Sequence, residues 1–386
     1  MSKTSIPDNV KALLWLRAGG RCQFEGCNDP LWEDGLTTLP MNASQMAHIV
    51  ADSPDGPRGD VNDSPKLAKD VSNLMLLCTT HHKLVDSKEH EIRYPRSLLE
   101  QMKENHERRI ELLTSFHGDK RSRLVTYWAN VGGKKHFMAD HFVREAVLPH
   151  AYPASSHPLN LASANSVLSD GDGETFWMIE KLQLERQVSM HLKPTLEGDA
   201  CHLSLFAVAP QPLLIYLGAL LSDLVPVEVY QLHREPQNWS WRPFLDGAHP
   251  MPRLTRTGNS QGAPCLLLAL SSDIAQSRIE AVLGPDLDIW TISVDGPHND
   301  VMQSREQLEI FRQVARQALE GLNQTHPEAT EIHVFPVAPV SACVEFGRVL
   351  QPRACRPLLI YNQISPEAGF RPAIRINESK EGGPTQ

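Results

Sequence analysis

Apolar and polar positions change their rhythm along this chain. Residues 72–86, SNLMLLCTTHHKLVD, run four apolar side chains (Leu74–Leu77) straight into Cys78 and two adjacent histidines, which predicts a short buried strand and then a helix opening near HHKLVD. Upstream, QMAHIV reads as a second short strand ending near His48, followed by the Pro- and Gly-rich loop ADSPDGPRGD. YPRSLLEQMKENHERRIELLTSF carries Leu98, Leu99, Met102, Ile110 and Leu112 at helical spacing behind a proline, so a helix is expected there. Its Lys103, Arg108 and Arg109 could track a phosphate backbone, but Glu100, Glu104 and Glu107 on the same helix favour a solvated, ion-paired face. Beyond residue 200 the runs CHLSLF, PVEVY, PCLLLAL, LDIWTISVDG, TEIHVF and PLLIY predict strands, and SREQLEIFRQVARQALEGL predicts a strongly amphipathic helix. Strands alternating with helices predict α/β layers.

Part of this alternation is repeated. FAVAPQPLLIYLGALL (206–221) matches FPVAPVSACVEFGRVL (335–350) at Phe, Val, Ala, Pro, Gly and Leu, and the flanking strands keep the same order over 202–230 and 331–361. Each copy reads as strand, Ala-Pro turn, helix and strand, and we read the pair as an internal duplication of a βαβ unit. Such units bind ligands beyond the carboxyl ends of their strands, where helix N-termini present free amides to anions. Two matching crevices suit a molecule with two phosphates and approximate twofold symmetry, as in a cyclic dinucleotide. The residues expected to touch it are Phe206, Pro210 and Gln211 in the first copy and Phe335 and Pro336 in the second. Trp177, Arg234, Trp239 and Trp241 join them, because aromatic faces stack on bases and arginine pairs with phosphate.

Composition narrows the possibilities. The 386 residues are enough for two or three domains, and no apolar run approaches the roughly 20 residues of a membrane span. The N-terminus lacks the features of a signal peptide, so a cytoplasmic protein with no membrane partner is expected. Charge is acidic, 37 basic against 46 acidic residues; residues 1–120 hold 15 Lys and Arg against 18 Asp and Glu, a net of −3. No part is a general polyanion binder, and contact with nucleic acid needs a local patch or several subunits.

The seven cysteines divide by context. Cys201, Cys265 and Cys343 lie in or beside apolar runs and are expected to be core; Cys355 has no assigned role. Cys22 and Cys27, separated by four residues, and Cys78 and His81, separated by two, form two turn-borne pairs about fifty residues apart. Two such pairs are expected to complete a tetrahedral Cys3His site for a structural zinc ion.

His82 is then left over, and the order His48, Asn73, His82, interleaved with paired zinc ligands, resembles the HNH (ββα-metal) endonucleases over residues 20–90. The resemblance implies that His48 is the general base that activates water and that His82 holds a divalent ion, Mg2+ or Mn2+. It implies that Asn73 orients the base or helps to hold that ion. One departure stands out: the residue before the base, acidic in many members, is Ala47 here, and Asp70 or Asp86 is expected to replace it.

A zinc-containing HNH module followed by a duplicated Rossmann-like sensor, together with FWMIEKLQLERQ, resembles the HNH and SAVED effectors of bacterial CBASS antiphage systems. This implies a ββα-metal nuclease domain at 1–116, a connector at 117–135 and, at 136–386, a SAVED domain of two CARF-like halves. It further implies an endodeoxyribonuclease that degrades double-stranded DNA when a cyclic dinucleotide of cGAMP type binds, active as a homo-oligomer from dimer to tetramer. Two alternatives stand beside it: a restriction-type HNH endonuclease whose C-terminal domain reads modified DNA, and a non-catalytic zinc-containing regulator that binds a metabolite.

Overall fold

A short apolar strand, buried along nearly all of its length, organises the N-terminal part of the chain. The computed structural model describes residues 4–115, 120–133, 139–148, 150–162, 168–192, 202–222, 226–245, 249–351, 355–365 and 369–377. The chain forms two compact units, residues 1–116 and 117–386. Cys201 and parts of the expected connector lie outside the described residues. No helix among the described residues is long and apolar enough to cross a membrane.

In the first unit, α1 (Asp8–Ala18) begins after Pro7 and is closed by Gly19 in the left-handed conformation, whose N–H donates to Leu16 O. β1 (Ser44–His48), α2 (Asp63–Leu67), β2 (Leu74–Cys78), α3 (Thr79–Val85) and α4 (Arg96–Thr114) follow. β1 and β2 pair antiparallel, with Ala47 opposite Met75 and His48 opposite Leu74. Leu74–Leu77 are all buried, and Leu14, Leu31, Ala47, Ile49, Val85, Leu99 and Met102 pack around them. α1 is absent from the elements that the pattern predicts: Leu13 and Leu16 are exposed while Leu14 and Ala18 are buried, so its apolar residues form no clean stripe. The basic residues of α4 are engaged locally, Lys103 with Glu107, Arg108 with Glu104, and Arg109 with Asn28 and His106.

The described residues of the second unit form two large sheets. β3 (Arg121–Trp128), α5 (Asp140–Val147), β4 (Tyr152–Pro153), β5 (Leu159–Asn160), α6 (Glu174–Gln187), β6 (Leu203–Val208), α7 (Gln211–Leu221) and β7 (Val227–Val229) build the first. Its strands run parallel in the order β4-β3-β6-β7, with β5 also on β3. A two-residue hairpin, β8 (His233–Arg234) and β9 (Gln237–Asn238), leads onward. β10 (Arg253–Gly258), β11 (Ala263–Ala269), α8 (Gln276–Leu283), β12 (Leu287–Ser293), α9 (Arg305–Thr325), β13 (Ile332–Val337), α10 (Val340–Arg348), β14 (Leu358–Ser365) and β15 (Gly369–Ile376) build the second. Its order is β10-β12-β11-β13-β14-β15, parallel inside and antiparallel at both edges. Every residue of β6 is buried, as expected for a parallel strand covered on both faces. α9 opens with a capping box: Ser304 Oγ accepts from Gln307 N at 3.2 Å and Gln307 Oε1 accepts from Ser304 N at 3.1 Å.

The two repeated segments follow matching paths, β6-α7-β7 and β13-α10-β14. Phe206 stacks on Tyr230 at 4.4 Å, and Phe335 on Tyr361 at 4.3 Å. Each phenylalanine also meets an aromatic edge, Trp239 at 5.2 Å in one copy and Phe370 at 5.1 Å in the other. The helices α7 and α10 touch at matching glycines. A Cβ on Gly218 would stand 2.0 Å from Val344 O, and one on Gly347 would stand 1.9 Å from Ile215 O. Only hydrogen fits at either place.

Gly218→Ala or Gly347→Ala is therefore expected to force the helices apart and destabilise the second unit by about 3 kcal/mol. Gly171→Ala, whose new methyl would meet only Ser169 Oγ at 3.6 Å, is expected to leave the melting temperature unchanged. Thermal denaturation of the three variants beside wild type checks this.

Candidate functional site

The first unit gathers four side chains that could hold a metal ion at the junction of β2 and α3. Cys22 and Cys27 flank a tight turn in which Cys27 N donates to Phe24 O and Gly26 takes φ 83. Cys78 ends β2 and His81 lies in the first turn of α3, so the strand-to-helix transition sets their spacing. The four ligand atoms all lie within 4.8 Å of one another. His81 Nδ1 is 3.1 Å from Cys78 Sγ and 3.7 Å from Cys22 Sγ, either side of the ~3.5 Å nitrogen–sulfur edge of a tetrahedron with ~2.3 Å metal–sulfur and ~2.05 Å metal–nitrogen bonds. Phe24 stacks on the His81 ring at 4.1 Å and fixes its plane. Burial pushes the Cys22 and Cys27 thiols up, so without a cation they hold their protons. Three sulfur donors and an imidazole in this arrangement could hold a soft or borderline metal ion.

A separate cleft of about 540 Å³ is lined by His48, Asp52, Asp55, His82 and Asp86, among others. His48 ends β1 and is 8% exposed; its Nε2 lies 3.0 Å from the Ala68 carbonyl, which can only accept. Nε2 therefore carries the proton in the neutral ring, leaving Nδ1 as the basic nitrogen. His82 Nε2 lies 3.4 Å from Asp86 Oδ2 across one turn of α3 and its C-cap. An imidazole and a carboxylate in this proximity suit a harder divalent ion.

Asn73 takes a different place from the one expected of an ion ligand. It is 4% exposed, its Oδ1 accepts from Val50 N at 2.8 Å, and its Nδ2 donates to Val50 O at 2.8 Å and Leu67 O at 3.3 Å. Both ends of the amide are committed to backbone, so Asn73 clamps the chain two residues beyond His48. Of the two acids proposed to replace the residue at position 47, Asp86 lines the cleft, whereas Asp70 caps the turn before β2 by accepting from Ser72 N. Ala47 itself is packed in the core.

In the second unit, a cavity of about 650 Å³ lies where the two repeats meet. Ala209, Pro210 and Gln211 border it from the first turn, and Ala338, Pro339 and Val340 from the second, so the N-termini of α7 and α10 both open onto it. Gln211 Nε2 donates to Ala338 O at 2.9 Å and ties one turn to the other. Gln231 and Asn362, each directly after the stacked tyrosine of its copy, occupy matching positions in the lining. Gln231 Oε1 accepts from Ser341 N at 3.2 Å and Ser341 Oγ at 2.8 Å, capping the start of α10. Arg234 and Gln237 reach the cavity from the β8–β9 hairpin. His233, fully buried at its base, donates from Nδ1 to Asp300 at 3.2 Å, and burial holds its pKa below the usual histidine value.

Of the nine residues expected around the ligand, Pro210, Gln211 and Arg234 line this cavity. The aromatic assignments are corrected. Phe206, Phe335 and Trp239 are buried in the aromatic stacks described above, and Trp177 packs edge-on against Phe176 at 4.9 Å in the core. A sheet covered on both faces consumes such large apolar side chains as packing, which leaves the backbone turns to border the cavity. Trp241 is partly buried beside His233, at 6.0 Å. Pro336 sits inside β13; the counterpart of Pro210 is Pro339, one turn position that the matched motif already contained. Gln231 and Asn362 also line the cavity, and their signal in the sequence was the position directly after each repeat's final tyrosine; Gln363 lines it one place further on.

Comparison with known proteins gives two family matches. Residues 184–376, half of the chain, match the SAVED family, the SMODS-associated and fused to various effectors sensor domain, and residues 22–89 match an HNH endonuclease family. No curated protein matches. Among solved structures, this chain is similar to the Acinetobacter baumannii Cap4 SAVED/CARF-domain containing receptor with the cyclic trinucleotide 3′3′3′-cAAA, at 14% identity and a TM-score of 0.43 over 75% of this chain and 61% of that one. It is similar to the same receptor with 2′3′3′-cAAA, at 14% identity and a TM-score of 0.41 over 75% and 61%. The Moraxella osloensis Cap4 receptor matches at 15% identity and a TM-score of 0.41 over 75% and 60%. This chain thus spans about 61% of the length of the first of these structures.

The Cys/His cluster makes a direct prediction. Full-length protein is expected to carry one tightly held metal ion per chain by elemental analysis, and Cys22→Ser or Cys78→Ser to lose it. Because a structural ion contributes ~10 kcal/mol or more to a small metal-built fold, each variant should also lose the cooperative unfolding of the first unit. His82→Ala should keep the ion and the transition. Metal-free wild-type protein that remains folded would overturn the assignment.

Proposed function

We propose, from the premise that this chain belongs to the SAVED sensor family and carries an HNH endonuclease domain ahead of it, that it is a metal-dependent endonuclease that cuts double-stranded DNA in bacterial antiphage defence when a cyclic oligonucleotide binds. The observation that carries this reading is the presence, in one chain, of a His48, His82 and Asp86 cleft and a separate cavity bordered by two matching strand-turn-helix motifs. The ligand we propose is a cyclic dinucleotide of cGAMP type. Its two phosphates would face the two helix N-termini that border the cavity, and Arg234, which lines one side, would favour two unlike bases. The Cys22, Cys27, Cys78 and His81 cluster would hold Zn2+ as a structural ion, and His82 with Asp86, 3.4 Å apart, would hold Mg2+ or Mn2+.

In this mechanism His48 Nδ1 takes a proton from a water molecule, whose oxygen attacks phosphorus while the bond to the 3′ oxygen breaks, and that oxygen takes a proton from solvent. The Ala68 carbonyl keeps the His48 ring in the required tautomer, and Asn73 fixes the backbone that carries it. A divalent ion, when bound, supplies positive charge to the phosphate and the departing oxygen. The first 120 residues have a net charge of −3, so one copy has little hold on a polyanion. Ligand-driven assembly of two to four copies would bring several such modules to one duplex.

His48→Ala is expected to lower plasmid cleavage by at least ~100-fold while leaving cyclic-nucleotide affinity, measured by calorimetry, unchanged. Arg234→Ala is expected to weaken that affinity by about tenfold, the loss of one charge-assisted contact. The calorimetric panel includes cyclic GMP–AMP, cyclic triadenylates and their linear forms, and light scattering on the same samples reads the assembly. Near-wild-type cleavage by His48→Ala would refute the nuclease reading; binding of linear forms alone would refute the ligand reading.

A further inference from the structure

Arg58 stands in the loop after β1 and has no part in the chemistry above. That loop is tightly wound: a Cβ on Gly56 would fall 2.5 Å from Ala51 Cβ, and one on Gly59 would fall 2.4 Å from Pro54 O. Arg58 itself takes φ 54, a left-handed conformation that side chains other than glycine rarely adopt. The fold holds a bulky cation in a strained backbone, and such strain persists only where the surroundings impose it.

What imposes it is a set of contacts to both elements of the cleft. The Arg58 side chain is 5% exposed. Its Nε donates to Ile49 O at 2.6 Å and its Nη2 to His48 O at 3.4 Å, both at the end of the strand that carries the base. Its Nη1 donates to Val85 O at 2.8 Å, at the end of the helix that carries His82. Nη2 also lies 3.9 Å from Asp86 Oδ1, while the other oxygen of that carboxylate faces His82. The Arg58 main-chain N–H donates to Glu91 at 2.6 Å and anchors the loop from behind. A planar fork of donors can satisfy three carbonyls and a carboxylate together, which the single ammonium of lysine cannot.

We propose that Arg58 is a positioning residue for DNA cleavage: it fixes the end of the His48 strand against the end of the His82 helix and sets the Asp86 carboxylate for the divalent ion. The proposal rests on the nuclease reading. It goes beyond it in assigning the cleft's geometry to a residue whose side chain bonds to backbone carbonyls and faces Asp86.

Arg58→Lys in the full-length chain keeps the charge and removes the fork. Mn2+ binding, read from the paramagnetic resonance signal of free Mn2+, is expected to weaken by about tenfold, as for the loss of other groups that orient a metal ligand. Cleavage should fall in kcat with KM for DNA unchanged, and the ion of the Cys/His cluster should remain. Wild-type Mn2+ affinity and kcat in a folded Arg58→Lys protein would overturn the proposal. Failure of both Arg58→Lys and Arg58→Met to fold would assign Arg58 to stability alone and overturn it equally. A wild-type chain that neither binds Mn2+ nor cuts DNA would overturn the nuclease reading and this proposal with it.

Discussion

The contact between α7 and α10 at Gly218 and Gly347 is the constraint on which the C-terminal unit depends. Each glycine gives the carbonyl of the opposite helix room that no side chain would leave, and the two approaches are equivalent. Helices held this closely bring their N-terminal turns together, and the cavity between Pro210 and Pro339 is the consequence. The stacked pairs Phe206–Tyr230 and Phe335–Tyr361 then fix the strands that feed those turns. Close packing, twofold pairing of the motifs and the placement of free amides are one arrangement seen at three scales.

The N-terminal unit achieves placement with different means. Its core is small, so polar groups hold the geometry: the Cys/His cluster at one end of β2, the Asn73 amide on the backbone of Val50, and the Arg58 fork across two elements. Each satisfies buried backbone groups that a unit of this size cannot pair by secondary structure alone. The same contacts that complete the fold thereby orient His48 and His82.

Much of this was legible in the sequence, for physical reasons that also mark where legibility ends. The α/β alternation, β6 and α9 follow from apolar runs and a 3.6-residue stripe, and the HNH and SAVED matches follow residues that the motifs had already singled out. α1 escaped because its apolar residues circle the helix, and the edge strand β10 because almost all of it is exposed. The aromatic residues misled because a tryptophan near a turn looks alike whether it faces a ligand or a core; only the two-sided cover of the sheet decides, and that is a tertiary property. Asn73 and Arg58 bond to backbone groups, which no side-chain spacing records.

The central claim is that the sensor governs the nuclease within one chain. The most direct test is the initial rate of supercoiled plasmid cleavage by full-length protein in Mg2+, with and without saturating cyclic nucleotide chosen from its measured affinity. The account predicts a rate near zero alone and a rise of about a hundredfold with ligand, a coupling at the upper end of the usual allosteric range. Equal rates in the two conditions, from protein shown to bind the nucleotide, would contradict it.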